Sequence, residues 1–210
     1  RFEDADAAFR KALSGKELTQ EETDCYMGTF LAEAAALNAE TGWVTQLHIG
    51  AVRDVRKTLF DALGPDVGGD VSSHFIDYTR PLATLLNRFD GKLKVVLYCM
   101  DALHQMSLAT LARAFGETVS LGSAWWLNDN PIGMRRQLEY IGSIDALANF
   151  AGMVSDSRKL LSYGSRFEMF RRVLSDVIGD MVERGQIPEE VATDLAVRMC
   201  YSGPKAFWNL

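Results

Sequence analysis

The stretch Lys92–Trp126, KLKVVLYCMDALHQMSLATLARAFGETVSLGSAWW, decides the fold class. KLKVVLYCM is a short apolar run that follows the Asp90-Gly91 punctuation and reads as a strand. ALHQMSLATLARAFG reads as a helix, and TVSLGSAWW as the next strand. A crossover between parallel strands needs a dozen or more residues, and a helix is its usual filler. Strand, helix and strand in succession therefore imply an α/β protein with a parallel sheet.

The alternation continues in both directions. Upstream, WVTQLHIGA, bounded by Gly42 and Gly50, reads as a buried strand, followed by helical periodicity in RDVRKTLFDAL. The turn-rich GPDVGGDVSSH then leads into a helix over FIDYTRPLATLLNRF. Downstream, MRRQLEYIGSIDALAN is mostly helix, FAGMVSD reads as a fourth strand, and RFEMFRRVLSDVIGDMVERG and PEEVATDLAVRMCYSG close the chain as helices. Two helices precede all of this: RFEDADAAFRKAL, stopped by Ser14-Gly15, and an Ala-rich helix opened by Thr19 and Glu22 in capping-box spacing and ending near Gly42. Residues 1–40 thus read as a helical lead-in and 41–210 as βα units. About four parallel strands fit an open doubly wound sheet or half of an eight-stranded barrel, and periodicity does not separate the two.

The chain's 210 residues, 48% of them hydrophobic, suffice for a sizeable core. A net charge of −6 with scattered Lys and Arg argues against a nucleic-acid partner. The three cysteines, Cys25, Cys99 and Cys200, are widely spaced and form no CxxC, so neither a disulfide framework nor a thiolate metal site is expected, and the cytoplasm is the expected compartment. No apolar run approaches the ~20 residues of a membrane span, and no anchor or signal peptide is expected. Because the chain opens on Arg1, directly in an amphipathic helix, it is expected to begin mid-protein.

Catalytic groups in a parallel barrel sit where strands finish, so each strand exit matters. These exits carry Gln46, His48 and Arg53; Tyr98 and Asp101; Trp125, Trp126, Asn128 and Asp129; and Asp156 and Arg158. Asp156 ends an almost wholly apolar run, where an unpaired charge is costly. It is a metal ligand or general base, or else a helix N-cap or the ion-pair partner of Arg158. His48 can bind a metal, polarise a carbonyl or donate to a neighbouring backbone group. His74 and His104 fall in a loop and at a helix start, and neither is expected in the site. Adjacent tryptophans on a strand point to opposite faces, so only one of Trp125 and Trp126 can line the mouth, facing a sugar ring or gating water, or else both are packing residues. Arg53 and Arg158 offer forks for a substrate carboxylate, or surface ion pairs. GPDVGGDVSS lacks the GxGxxG and GxxxxGK[ST] spacings, and no HxH, HExxH or GxSxG occurs.

QLHIGAVR, GSAWWLND, GMRRQLEYI and FAGMVSDSRKLLSYGSRFEMFRRVL, in this order and spacing, resemble the C-terminal half of uronate isomerase, also called glucuronate isomerase, a family of (β/α)8 barrels in the amidohydrolase superfamily. The resemblance runs from about Thr41 to the C-terminus. It implies half of a TIM-type barrel and an aldose–ketose isomerisation of D-glucuronate to D-fructuronate and of D-galacturonate to D-tagaturonate, by proton transfer between C2 and C1. It also implies that Asp156 is a metal ligand that helps ring opening or proton movement. By the same resemblance His48 and Arg53, an HxxxxR pair, approach the substrate together with Arg158 and the tryptophan pair, Trp125 being the preferred contact. The implied cofactor is a divalent metal, with zinc expected, and the partner is a small hexuronate, with no nucleic acid or membrane and with homo-oligomerisation open. The family's HxH ligands and its N-terminal tyrosine are absent from this chain. An open half-barrel made alone is expected to aggregate or dimerise through its bare sheet edges. A hydrolase on the same scaffold and a non-catalytic α/β binding module are the alternatives.

Overall fold

The computed structural model describes residues 1–73 and 76–210, so His74 and the expected helix start at Phe75 lie outside the described residues. The chain opens with a helical hairpin, α1 (Phe2–Leu13) against α2 (Gln20–Thr41). Thr19 caps α2 as its spacing suggests: its hydroxyl accepts from the Glu22 amide at 3.2 Å, and the Glu22 carboxylate accepts from the Thr19 amide at 2.7 Å. Both bonds satisfy amides that the first helical turn leaves unpaired. Replacing Thr19 with Ala is expected to destabilise this end of the protein by about 1 kcal/mol, read as faster amide exchange in the first turn of α2.

The parallel sheet has the order β1 (Thr45–Ile49), β4 (Val95–Cys99), β5 (Val119–Leu121), with Thr45 opposite Val95 and Val95 opposite Val119. A short antiparallel ribbon, β2 (Ala51–Val52) with β3 (Val71–Ser72), rises from the end of β1. The remaining helices are α3 (Lys57–Leu63), α4 (Thr79–Arg88), α5 (His104–Phe115), α6 (Pro131–Ser143), α7 (Ser162–Glu183), α8 (Glu189–Val197) and α9 (Gly203–Trp208). Every residue of central β4 is buried, which is why VVLYC reads as a continuous apolar run rather than an alternating one. Val95, Leu97 and Cys99 face the helices, in one core with Leu86, Leu108, Leu138 and Leu174. Burial pushes the Cys99 thiol up to about 12, so it stays protonated. Val96, Tyr98 and Met100 face the concave side, in a second cluster with Trp125 and Ala151. At the lower end of that cluster α9 lies across the strand starts, where the Trp208 indole donates to the Ala151 carbonyl at 2.6 Å and Lys94 donates to the Phe207 carbonyl at 2.7 Å.

The expected fourth strand is a correction. Phe150–Asp156 runs beside β5 but forms no strand. It is attached by serine hydroxyls instead: Ser120 accepts from the Ala151 amide at 3.0 Å and donates to the Asn149 carbonyl at 2.7 Å, and Ser123 accepts from the Val154 amide at 3.2 Å. Gly152, at φ +99°, breaks the extended run, and a Cβ there would meet Pro204 of α9 at 2.7 Å. Among the described residues the parallel sheet therefore has three strands, with a fourth rung held by side chains. No helix is long and apolar enough to cross a membrane among these residues.

Candidate active site

The strands end in a cavity of about 520 Å³, and the side chains that meet there come from three strand exits, the loop that carries Asp66 and Asp70, and the front of α7. Asp156 sits in its wall with φ +46°, a left-handed conformation that Asp tolerates better than most residues. Its carboxylate accepts a hydrogen bond from the Trp125 indole at 3.1 Å. Asp156 caps no helix, since α7 begins at Ser162, and the ion pair of Arg158 goes to Asp66. Asp156 is thus no helix cap, and its charge acts on Arg158 without a hydrogen bond to it.

His48, on β1, stacks on Tyr98 with ring centroids 4.8 Å apart and lies 4.4 Å from Trp125. Burial lowers its pKa, opposed by the charge of Asp156, so the ring is neutral near pH 7. The Tyr98 hydroxyl donates to Gln46 at 3.0 Å, and burial raises its pKa well above the usual phenol range. The histidine has a pH consequence. Because the folded protein binds this proton more weakly than the unfolded chain, His48 contributes nothing above its ordinary value of 6.5 and removes stability as pH falls from there through the folded pKa. Denaturant midpoints between pH 7.5 and 5.5 are expected to decline less in His48→Gln than in the parent.

The tryptophans also correct an expectation. β5 ends at Leu121, so neither lies on a strand. Trp125 is extended at φ −119°, but Trp126 has φ +52° and opens the 3-10 turn Trp126–Asn128. That turn brings both rings to the same side, 5.3 Å apart at their centroids, and both line the cavity. Trp125 is buried, while Trp126 is partly open to solvent and has the Arg53 guanidinium 5.3 Å over its ring.

The turn-rich segment GPDVGGDVS, no phosphate cradle by its spacing, supplies two carboxylates to the cavity. Asp70 is paired with Arg53 and also accepts from the Asp54 amide at 2.9 Å; Asp66 accepts from Arg158 at 3.0 Å. A further pair was missed: Arg166, at the front of α7, is bound to Asp129, which closes the turn after the tryptophans. Asp129 Oδ1 and Arg166 Nε are buried without a hydrogen-bond partner among the described residues. Their signal in the sequence was an acid after WWLN and an arginine ten residues beyond Asp156. His104, the first residue of α5, is buried edge-on against Tyr78, 4.7 Å between centroids, and takes no part in the cavity.

The described residues do not fit a metal by themselves. No group of three or more His, Cys, Asp or Glu side chains gathers among them, so Asp156 offers one carboxylate where a stable site needs several donors.

Comparison with known proteins places this geometry. The glucuronate isomerase family model matches residues 1–208. The uronate isomerase of Thermotoga petrophila is 54% identical over 204 residues, covering 97% of this chain and 45% of that protein. A Marinomonas uronate isomerase is 36% identical over 216 residues, covering 98% of this chain and 46% of the relative. Among solved structures, the uronate isomerase of Thermotoga maritima superposes with a TM-score of 0.96 at 52% identity, over 99% of this chain and 46% of that one. The glucuronate isomerase of Caulobacter crescentus gives 0.90 at 30% identity, over 98% of this chain and 43% of that one. The chain thus spans somewhat under half the length of the proteins it matches, and the α/β architecture read from its strands is the C-terminal portion of their barrel. By family match, identity and superposition, the chain belongs to the glucuronate isomerase family.

Proposed function

We propose that this protein interconverts D-glucuronate with D-fructuronate, and D-galacturonate with D-tagaturonate, by moving a proton between C2 and C1. The observation that carries the reading is the Asp156 carboxylate, held by the Trp125 indole, close enough for its charge to act on His48 and Arg158, and sharing the cavity wall with Arg53. A base takes the C2 proton of the open-chain aldose while the C1 oxygen gains one, giving an enediol. The C2 hydroxyl then gives up its proton as C1 is protonated, leaving the ketose. Asp156 is the group we assign to carry that proton, and a neutral imidazole at His48 can hand a proton to the C1 oxygen and take one back from the C2 hydroxyl. Arg53 and Arg158 hold the substrate carboxylate, for which their planar forks are matched. The tryptophan walls exclude water and face the sugar.

A divalent metal, zinc in this reading, would take Asp156 as one ligand, with its other donors coming from outside the described residues. Metal content in the parent and in Asp156→Asn tests that assignment. A cytoplasmic, homo-oligomeric enzyme is also proposed, the first from the reduced cysteines and the second from exposed Phe2 and Phe30 on the α1–α2 hairpin.

The function is tested by incubating the natural-length protein with D-glucuronate deuterated at C2. Formation of fructuronate, with deuterium at C1 or exchanged into solvent, is the expected result. Absence of any ketose from either uronate overturns the proposal.

A further inference from the structure

The loop between α3 and β3 is tied to the cavity more elaborately than a connection needs to be. The Asp70 side chain is only 3% exposed and uses both oxygens: Oδ2 accepts from Arg53, and Oδ1 accepts from the Asp54 amide at 2.9 Å. Asp66, four residues earlier, has its carboxylate between two guanidinium groups that arrive from different strand exits. Arg158 donates to its Oδ2 at 3.0 Å, and Arg53 lies 3.8 Å from its Oδ1. The loop backbone is fastened as well, the Val55 amide donating to the Gly69 carbonyl at 2.8 Å and the Asp66 amide to the Asp54 carboxylate at 3.3 Å. Trp126 lies against one face of the Arg53 guanidinium, 5.3 Å from it.

An unanchored arginine samples many rotamers, and ordering it on binding costs affinity for each such side chain. A guanidinium carries five N–H donors, and each of these two commits one hydrogen bond to the loop. Donors remain for a second carboxylate on both. We infer that Asp70 and Asp66 are positioning residues, which hold Arg53 and Arg158 as a two-armed receptor for the carboxylate of the substrate. The inference rests on the uronate reading of the cavity and adds to it the loop GPDVGGD as the part that sets anion affinity.

The two aspartates differ in weight. Asp70 is nearly buried, so its charge is poorly replaced by solvent, whereas Asp66 and Arg158 are largely exposed and their pairing is screened. A group that only orients a binding arginine acts on ground state and transition state alike, and therefore moves KM rather than kcat.

The test is the affinity of the natural-length protein for D-glucuronate, titrated by its tryptophan fluorescence, beside steady-state isomerisation. Asp70→Asn is expected to raise both Kd and KM roughly ten-fold, with kcat lowered at most about two-fold, and Asp70→Glu to recover part of the loss. Asp66→Asn is expected to raise them about two- to five-fold, less at high salt. Should Asp70→Asn fail to fold, the Asp66 variant carries the test by the same two readouts. Unchanged Kd and KM in a folded variant overturn the positioning role, as does a loss confined to thermal stability. Parent protein that binds glucuronate through Asp70 yet forms no ketose would overturn the isomerase reading and leave this inference standing. Parent protein that isomerises with Kd indifferent to both substitutions would do the reverse, and a parent that neither binds nor isomerises would overturn both.

Discussion

Asp156→Asn in the natural-length protein is expected to lower kcat on D-glucuronate by about 10²–10⁴-fold, the range that positioned acid–base groups contribute. The substitution is close to isosteric. An asparagine oxygen can still accept from the Trp125 indole, and asparagine tolerates the left-handed backbone at φ +46° as well as aspartate does. The folded state should therefore keep its denaturant midpoint while the proton carrier is gone. The pairing of unchanged stability with lost turnover separates a catalytic carboxylate from a structural one. Activity within ten-fold of the parent would remove Asp156 from the chemistry.

The second large effect is a single methyl group at Gly122. A Cβ there would stand 2.2, 2.4 and 2.6 Å from three carbons of the Tyr98 ring, closer than any van der Waals contact. Neither side can give way. The Gly122 amide donates to the Leu97 carbonyl at 2.8 Å and its carbonyl accepts from Gln137 at 3.1 Å, while Tyr98 is only 1% exposed. Gly122→Ala should cost about 1–3 kcal/mol in urea unfolding, as overpacked cores do. It should also lower kcat, because the ring it displaces is the surface on which His48 stacks. Adding Tyr98→Leu removes the obstructing ring, and a double-mutant cycle should show the two changes to be strongly coupled in stability. Additive effects would mean that the close approach is relieved elsewhere.

The legible parts of the molecule were those whose causes are local. VVLYC is buried on both faces and looks it; Thr19 and Glu22 cap a helix by a contact three residues long; Asp156, His48, Arg53 and Arg158 stand at run ends where polar residues are conspicuous. The misreadings have long-range causes. FAGMVSD has the composition of a strand, but its partners are Ser120 and Ser123, some thirty residues away, and a strand ladder cannot be told from a hydroxyl staple by composition. Trp125 and Trp126 read as alternating strand residues, and only the positive φ of Trp126 turns both rings to one side. Asp66 and Asp70 lie in a glycine-rich loop whose aspartates look like turn formers, and their partners are separated from them in sequence, Arg158 by 92 residues. The Arg166–Asp129 pair was hidden for the same reason.

The serine staples bear on how this protein can change over generations. A ladder between strands is made of main-chain groups that every residue but proline possesses in full, so few single substitutions loosen it. The rung that carries Asp156 hangs on the hydroxyls of Ser120 and Ser123, which are encoded and can be lost one at a time. Evolution, or a laboratory library directed at those two codons, can shift the Asp156 carboxylate by fractions of an ångström while β1, β4 and β5 keep the sheet intact, which makes this edge of the sheet the natural adjustment point of the cavity.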